Sequence, residues 1–428
     1  MDDLTNVDLN NIGHLGLIDP NDIDLTNMNL LEAQGQFNTI LLSDISNLID
    51  AMDCKKCVEK EELLKEAKKK LDVQKEIIDK MVKERRTLHN VILELKGNIR
   101  VCCRVRPRTP KETEQMKALC DISFIDDCTI EIGKSEIYQK FSFDKIFAPN
   151  ASQADVFEEL SLLVQSALEG YNVCVFACGQ TGSGKTYTME GERGSQTDEG
   201  IIPRTVHYIF EEIKNMELLG WEYRIEASFL EIYNEHIVDL LDITPKPHEI
   251  QMVPDKDGDL YVTNLKIEEI HSPDELHECL RTVQRNRAAI ASTQSNERSS
   301  KSHSVVRIRL IGTHVTKQEE SIGNLNLVDL AGSEHLKTEE AVRTAETKNI
   351  NKSLANLGKV ILALLKKQEH IPYKKSKLTH LLMPSLGGNS KTLMLLNVSP
   401  LDECYNETLN SLIFASKISN CKTGNVNE

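Results

Sequence analysis

Gly179-Gln180-Thr181-Gly182-Ser183-Gly184-Lys185-Thr186 is the stretch on which the fold turns. It has the spacing GxxxxGK[ST], follows the apolar run Asn172 to Phe176, which reads as a strand, and precedes a helical pattern beginning near Lys185. Glycines there let the backbone curl until successive N–H groups and a helix N-terminus point at phosphate oxygens. In such a loop the lysine, Lys185, reaches the β- and γ-phosphates, and the hydroxyl of Thr186 takes Mg2+. The expected ligand is a nucleoside triphosphate with its Mg2+, bound by a strand–loop–helix unit of an α/β domain.

Hydrolysis asks for more than binding, because a departing γ-phosphoryl must be held in line, stabilised electrostatically and met by a positioned water. Two downstream segments offer this. Leu327-Val-Asp-Leu-Ala-Gly-Ser-Glu334 is an apolar strand ending in Asp329, where a Mg2+-organising carboxylate belongs, followed by Gly332, which can present its N–H to the γ-phosphate. Asn296-Glu-Arg-Ser-Ser-Lys-Ser-His303 is a hydroxyl-dense loop ahead of a strand. Either alone is weak evidence, and the Ser-rich loop by itself would equally suit a solvated turn.

The chain has 428 residues, 40% hydrophobic and 27% charged, in the range of globular proteins. With 51 Lys plus Arg against 66 Asp plus Glu, the formal charge of −15 excludes a protein that coats nucleic acid through its overall charge, so an anionic partner must meet a local basic patch. The longest aliphatic run, Val360 to Leu365, is far too short to span a bilayer, and the N-terminus is acidic where a signal peptide would be basic. An intracellular, non-membrane chain with reduced cysteines is expected. Cys54 and Cys57 form a lone CxxC without partners at ligand spacing and read as ordinary helix residues.

Four regions follow from composition. Residues 1–53 read as an acidic, largely disordered tail: its first fifty residues hold nine acids, eight Asn and no Lys or Arg. Within it Phe37, Leu41, Ile45 and Leu48 recur at helical spacing. Residues 54–96 read as a coiled-coil helix, with Leu64, Leu71, Ile78 and Ile92 at a, Ala67, Met81, Leu88 and Leu95 at d, and Gln74 and Arg85 interrupting the seam. Gly97 ends that helix. Residues 97–424 alternate short β-branched runs with helical patterns, and 425–428 form a short tail. Expected strands include 223–233, 304–313 and 324–328, and Ser272, Pro273 and Glu275 signal a helix start.

Taken together, the motifs resemble a kinesin motor domain over about Gly97 to Gly424. Seven blocks stand in family order: RVRP (Arg104–Pro107), GQTGSGKT, SFLEIYNE, the loop ending SSKSH, DLAGSE, NINKSL and HIPYKKSKLT. The resemblance implies a P-loop α/β motor fold with a central, mostly parallel sheet flanked by helices, and ATP with Mg2+ as cofactors. By similarity, Arg104, Pro107 and Tyr187 serve the nucleoside, residues 179–186 the phosphates, Ser299 and Ser300 the first switch, and Asp329, Gly332 and Glu334 the second. Ser300 would sit near Mg2+, Asp329 would act on it through water, and Glu334 would relay a proton from the attacking water. Tyr233, His236, Lys352, Lys374, Lys375 and Lys377 match microtubule-contact positions. Gly97 and Asn98 match the junction pair of the C-terminal-motor, minus-end-directed branch, in which the neck helix swings; only seven residues follow Cys421. A dimer through the neck, with itself or with a non-catalytic subunit, and a microtubule or spindle location are implied as well.

The sequence departs from the family at Lys301, where an Arg pairs with the second-switch Glu; Lys keeps the charge and loses the planar fork. Cys178 stands where an aromatic is common, His335 replaces an Arg, and the segment from there to Ile350 is about two residues short. A nucleotide-holding, microtubule-binding coiled-coil subunit with weak turnover is the alternative reading. A P-loop signalling switch would not explain the lysines.

Overall fold

The computed structural model describes residues 57–192, 194–195, 197–254, 259–294, 298–334 and 345–422. The expected acidic tail with its short helix, Cys54, the shortened segment from His335 to 344, and the C-terminal residues from 423 lie outside them. Two compact units divide between Glu84 and Arg85.

Helix α1 (Cys57–Lys96) runs without Gly or Pro. Of the expected seam, Leu64, Leu88, Ile92 and Leu95 are exposed and Leu71, Ile78 and Met81 half-buried, so an apolar stripe of the helix is left open to solvent. Its end, from Arg85, packs with the second unit, further back than the expected boundary at Gly97. Leu93 is buried in one core with Leu160 and Leu163, and Nε2 of His89 lies 3.0 Å from the Leu162 carbonyl and 3.1 Å from Ser166 Oγ. Because a carbonyl only accepts, that nitrogen carries the proton. Arg85 approaches the buried carboxylate of Glu169 at 3.7 Å, and Arg86 lies over the Trp221 ring. Arg85 thus interrupts the heptad seam because its charge is used within the domain. Gly97 closes the helix at φ +87°, a left-handed conformation that glycine adopts without a Cβ penalty.

The strands in order are β1 (Ile99–Val105), a small antiparallel sheet of β2 (Asp121–Phe124), β3 (Thr129–Lys134) and β4 (Ile137–Ser142), then β5 (Lys145–Phe147), β6 (Asn172–Cys178), β7 (Trp221–Tyr233) and β8 (His236–Asp239). β9 (Ile250–Met252) and β10 (Leu260–Val262) pair with each other, followed by β11 (Glu268–Ile270), β12 (His303–His314), β13 (Glu320–Asp329) and β14 (Lys391–Val398). The main sheet has the order β11-β7-β12-β13-β6-β14-β1-β5, with β8 on β7. β13, β6, β14, β1 and β5 are parallel neighbours; β11, β7 and β12 join antiparallel. The parallel run extends from β13 to the β5 edge, and its inner strands are covered on both faces, which is why β14 is buried at every position.

The helices are α2 (Pro110–Glu114), α3 (Gln153–Leu168), α4 (Lys185–Met189), α5 (Ile201–Glu217), α6 (Pro273–Gln294), α7 (Arg298–Lys301), α8 (Ala345–Leu365), α9 (Lys377–Leu381), α10 (Met383–Leu386) and α11 (Tyr405–Lys422). Two apolar cores lie on the two faces of the sheet. Cys174, Phe176 and Cys178 of β6 point toward the core containing Val360 and Ile418, while Val173, Val175 and Ala177 point toward the core containing Leu160 and Ile209. Adjacent Cys102 and Cys103 divide the same way, and burial raises the Cys103 thiol pKa far above its ordinary value. At the start of α6, Ser272 Oγ accepts from the Glu275 amide, but the Glu275 carboxylate takes the His271 amide instead of that of Ser272. Among the described residues, no helix is long and apolar enough to cross a membrane.

Candidate functional site

The loop 179–184 connects the C-terminal end of β6 to α4, beside parallel strands β13 and β14, the edge at which open α/β sheets bind ligands. Gly182 and Gly184 take φ of +77° and +96°. Lys185 is buried, and its ammonium donates to the carbonyls of Gly179 and Gln180, each at 2.9 Å. Burial lowers its pKa, against the pull of Asp329 and Glu334. Thr186 Oγ1 donates to Asp329 Oδ2 at 2.6 Å. Burial raises the Asp329 pKa, opposed by that hydrogen bond and by Arg287 and Lys185.

Several buried polar atoms at this place have no protein partner: Asp329 Oδ1, Ser183 Oγ and Gln180 Oε1. Orphaned groups of this kind cost free energy unless a ligand or water meets them. A hydroxyl and a carboxylate oxygen side by side, with a free carboxylate oxygen beyond, are the hard oxygen donors that suit Mg2+, and curled backbone next to a lysine suits a polyphosphate. The residues present fit both groups.

Backbone hydrogen bonds join the two expected switches to the loop. Gly332 N–H donates to Ser300 O at 2.8 Å and Ser333 N–H to Gly179 O at 3.1 Å. Ser299 and Ser300 lie in α7, and Glu334 turns back to the phosphate loop, accepting from Thr181 N–H at 2.8 Å and Thr181 Oγ1 at 2.5 Å. A Cβ on Gly332 would collide with Glu334 Oε2 and Thr181 Oγ1, so only glycine leaves room for this contact.

His303, quoted in the motif but given no task from sequence, is the junction of three elements. It is buried, and burial with the nearby Lys185 charge lowers its pKa to about 3. The neutral ring accepts from the Ala331 amide through Nδ1 at 3.0 Å, which leaves the proton on Nε2, 2.7 Å from Ser353 Oγ on α8. The preceding Ser302 donates to Glu231 on β7 at 2.6 Å. A histidine following a serine in a hydroxyl-rich loop was the available signal.

On the nucleoside side, Arg104 is buried, donating to Gln153 Oε1 at 2.7 Å and Thr188 Oγ1 at 3.0 Å, with its guanidinium over the Tyr187 ring. Tyr187 and Pro107 are the exposed members of the set, and Tyr187 OH donates to Asp198 at 3.1 Å. Sequence reasoning passed over Arg106. It donates to Gly182 O at 2.7 Å and forms a two-point pair with Glu112, both contacts 2.7 Å. The Arg106 fork holds the Glu112 carboxyl at about 2.

The remote expected residues converge on one face. Tyr233 and His236 flank the β7–β8 turn, whose central residues Asn234 and Glu235 take positive φ. Asn234 accepts from Asn349 on α8, and Glu235 accepts from the Lys377 amide at the start of α9 at 2.9 Å. Asn356 on α8 donates to Pro372 O at 3.1 Å and Thr379 Oγ1 at 2.7 Å, tying α8 to the segment carrying Lys374, Lys375 and Lys377. Lys352, Lys374 and Lys375 are exposed. Burial lowers the pKa of His380, and the nearby Lys374 and Lys377 charges lower it further. At the neck junction, Asn98 accepts from Lys391 Nζ at 2.9 Å and from the Thr392 amide at 2.7 Å, so the residue after Gly97 is fastened to β14 by side chain and backbone.

Residues 104–421 match the kinesin motor domain family. Over 346 residues the chain is 54% identical to the protein claret segregational of Drosophila melanogaster, covering 79% of this chain and 48% of that protein. It is 47% identical to carboxy-terminal kinesin 2 of Xenopus laevis, covering 80% and 56% respectively. The chain thus spans about half the length of these relatives. A solved structure of the C-terminal motor and motor homology domain of Kar3Vik1, fused to a synthetic heterodimeric coiled coil, superposes with a TM-score of 0.76 at 41% identity, covering 89% of this chain and 99% of that one.

Proposed function

The chain belongs to the kinesin motor family, and from that premise we propose that it is an ATP-driven microtubule motor of the C-terminal-motor branch, moving toward the minus end. The observation that carries this reading is the unbroken path from phosphate loop to basic face: Ser333 to Gly179, Gly332 to Ser300, Ala331 to His303, and His303 to Ser353 on the helix bearing Lys352. A change at the γ-phosphate that moves Gly332 must disturb hydrogen bonds ending on α8.

In this reading residues 179–186 bind the triphosphate, Lys185 leaving the loop carbonyls for phosphate oxygens. Tyr187 and Pro107 offer surface to the base, Arg104 positions the Tyr187 ring, and Arg106 steadies the loop at Gly182. Thr186, Ser300 and Asp329 would hold Mg2+, which supplies charge neutralisation at the β- and γ-phosphate oxygens when bound. Ser299 and Gly332 complete the γ-phosphate contacts. Glu334 must release Thr181 to reach Lys301 and to take a proton from the attacking water. The single ammonium of Lys301 makes that closed pair less directional than an Arg fork.

Tyr233, His236, Lys352, Lys374, Lys375 and Lys377 meet the microtubule, where opposite charge raises the rate of encounter. The exposed stripe of α1 supports dimerisation through the neck, with a second copy or a related non-catalytic chain. A cytoskeletal location follows from the partner. Gliding of polarity-marked microtubules over the immobilised chain tests direction: plus ends should lead. Gliding with minus ends leading would overturn the direction, and tethering without movement would favour a nucleotide-holding subunit.

A further inference from the structure

We propose that Glu199, His207 and His277 form a binding site for a zinc-type divalent cation, separate from the nucleotide site. Each offers one ligand atom, and these atoms lie within 4.8 Å of one another. His207 Nε2 is 3.6 Å from Glu199 Oε2, and the two imidazole rings sit with centroids 5.0 Å apart, tilted by 42° rather than stacked. Two imidazoles and one carboxylate are the donor set of an open zinc site, with a fourth position left for water.

The hydrogen bond behind His277 points the same way. Its Nδ1 lies 2.8 Å from the Pro273 carbonyl, one helical turn back in α6. A carbonyl can only accept, so Nδ1 carries the proton in the neutral ring and Nε2 keeps its lone pair. This is the arrangement by which ligating histidines are oriented and made more basic. Zinc–ligand bonds of about 2.0–2.2 Å require the three atoms to close by roughly 1 Å, and His207, with its side chain 51% exposed, has the room to turn.

The surroundings tolerate the charge. A cavity of about 430 Å³ borders Glu199 and His277, and also Glu190, Glu192 and Arg281. Arg281 pairs with Glu278 at 3.2 Å, while Glu190 is held by Arg287 and Gln284. An exposed His207–Glu199 contact at 3.6 Å contributes little as a simple ion pair, so it does not by itself account for gathering a second histidine.

Occupancy would add a tie among three elements already joined by Arg204, which donates to the Glu199 and Thr197 carbonyls at 2.8 Å, and by a shared apolar core. Glu199 is the bridge partner of Gly191 and follows Asp198, the acceptor for Tyr187 OH. His207 lies on α5, and His277 on α6, the helix that precedes the first switch. The cation would therefore brace the loop that sets the Tyr187 ring.

The test is a titration of the full chain with Co2+ and Zn2+ under excess Mg2+, read by calorimetry and by the visible absorption of Co2+. One Co2+ per chain, displaced by Zn2+ and without a sulfur-to-metal charge-transfer band, is expected. His207→Ala and His277→Ala should each weaken binding by more than about 100-fold, beyond the loss typical of removing a hydrogen-bond partner behind a ligand. Glu199→Gln provides a variant that keeps shape should His277→Ala unfold. No binding, binding that survives both histidine changes, or a thiolate spectrum placing the metal on cysteines would each overturn the proposal.

Discussion

Asp329 is a carboxylate placed where its charge is costly: buried, one oxygen on Thr186 and the other unpartnered. Its raised pKa means that the folded protein holds a proton over a range in which the unfolded chain has released it. The favourable contribution is therefore full below the unfolded value and is lost as pH rises through the folded value, a tenfold difference in proton affinity between the two states corresponding to about 1.4 kcal/mol. Asp329→Asn should raise the melting temperature of the nucleotide-free protein at neutral pH, with a smaller gain in acid, and lower turnover by about 100-fold or more. A less stable Asn variant at neutral pH would contradict this reading of the site. At Gly332 the steric limit is equally local. Gly332→Ala should separate Glu334 from Thr181 and cost at least about tenfold in turnover, or about 1.4 kcal/mol, while nucleotide affinity stays near the original; turnover at the original rate would show that the contact is idle. The phosphate loop, Asp329 and Gly332 were legible because their spacing is chemically constrained, whereas the roles expected for Ser299, Ser300 and Glu334 came only from the resemblance to the family. Sequence reasoning missed Arg106 and His303, since a guanidinium meeting a loop carbonyl and an imidazole joining three elements are tertiary contacts without a local pattern.

At the scale of elements, the strands 172–178, 221–233, 303–314 and 320–329 extend the runs expected for them by up to four residues at an end. The antiparallel half of the sheet was not legible, because strands buried on both faces read as continuous apolar runs whichever way they pair. The docking of the end of α1 was hidden for another reason: Arg85 stands in the seam itself while His89 and Leu93 fall on a face beside it, and the seam dominates the periodicity. α8, α9 and the β7–β8 turn form one unit through Asn356, Glu235 and Asn234. The double change Lys374→Ala and Lys377→Ala should weaken microtubule co-sedimentation at low salt while basal turnover persists, and the deficit should shrink as salt rises, since exposed charges are screened over about 10 Å at 0.1 M. A deficit that ignores ionic strength would indicate damage to α9 instead.

Over the whole molecule, a formal charge of −15 coexists with a lysine-rich face, so an acidic surface would be met by that face and repelled by the rest of the chain. The nucleotide site and that face lie on one compact unit that also includes the end of the neck helix from Arg85. Motion of α8 and motion of the neck can thus be two outputs of one closure at the γ-phosphate. Steady-state ATP hydrolysis by the full chain, with and without polymerised tubulin and beside Lys185→Ala, tests this coupling most directly. Turnover should rise at least about tenfold on microtubules, a barrier lowered by about 1.4 kcal/mol, and vanish in the Lys185 variant, which should still show the far-ultraviolet dichroism of the folded chain; tight microtubule binding with no stimulation of hydrolysis would contradict it.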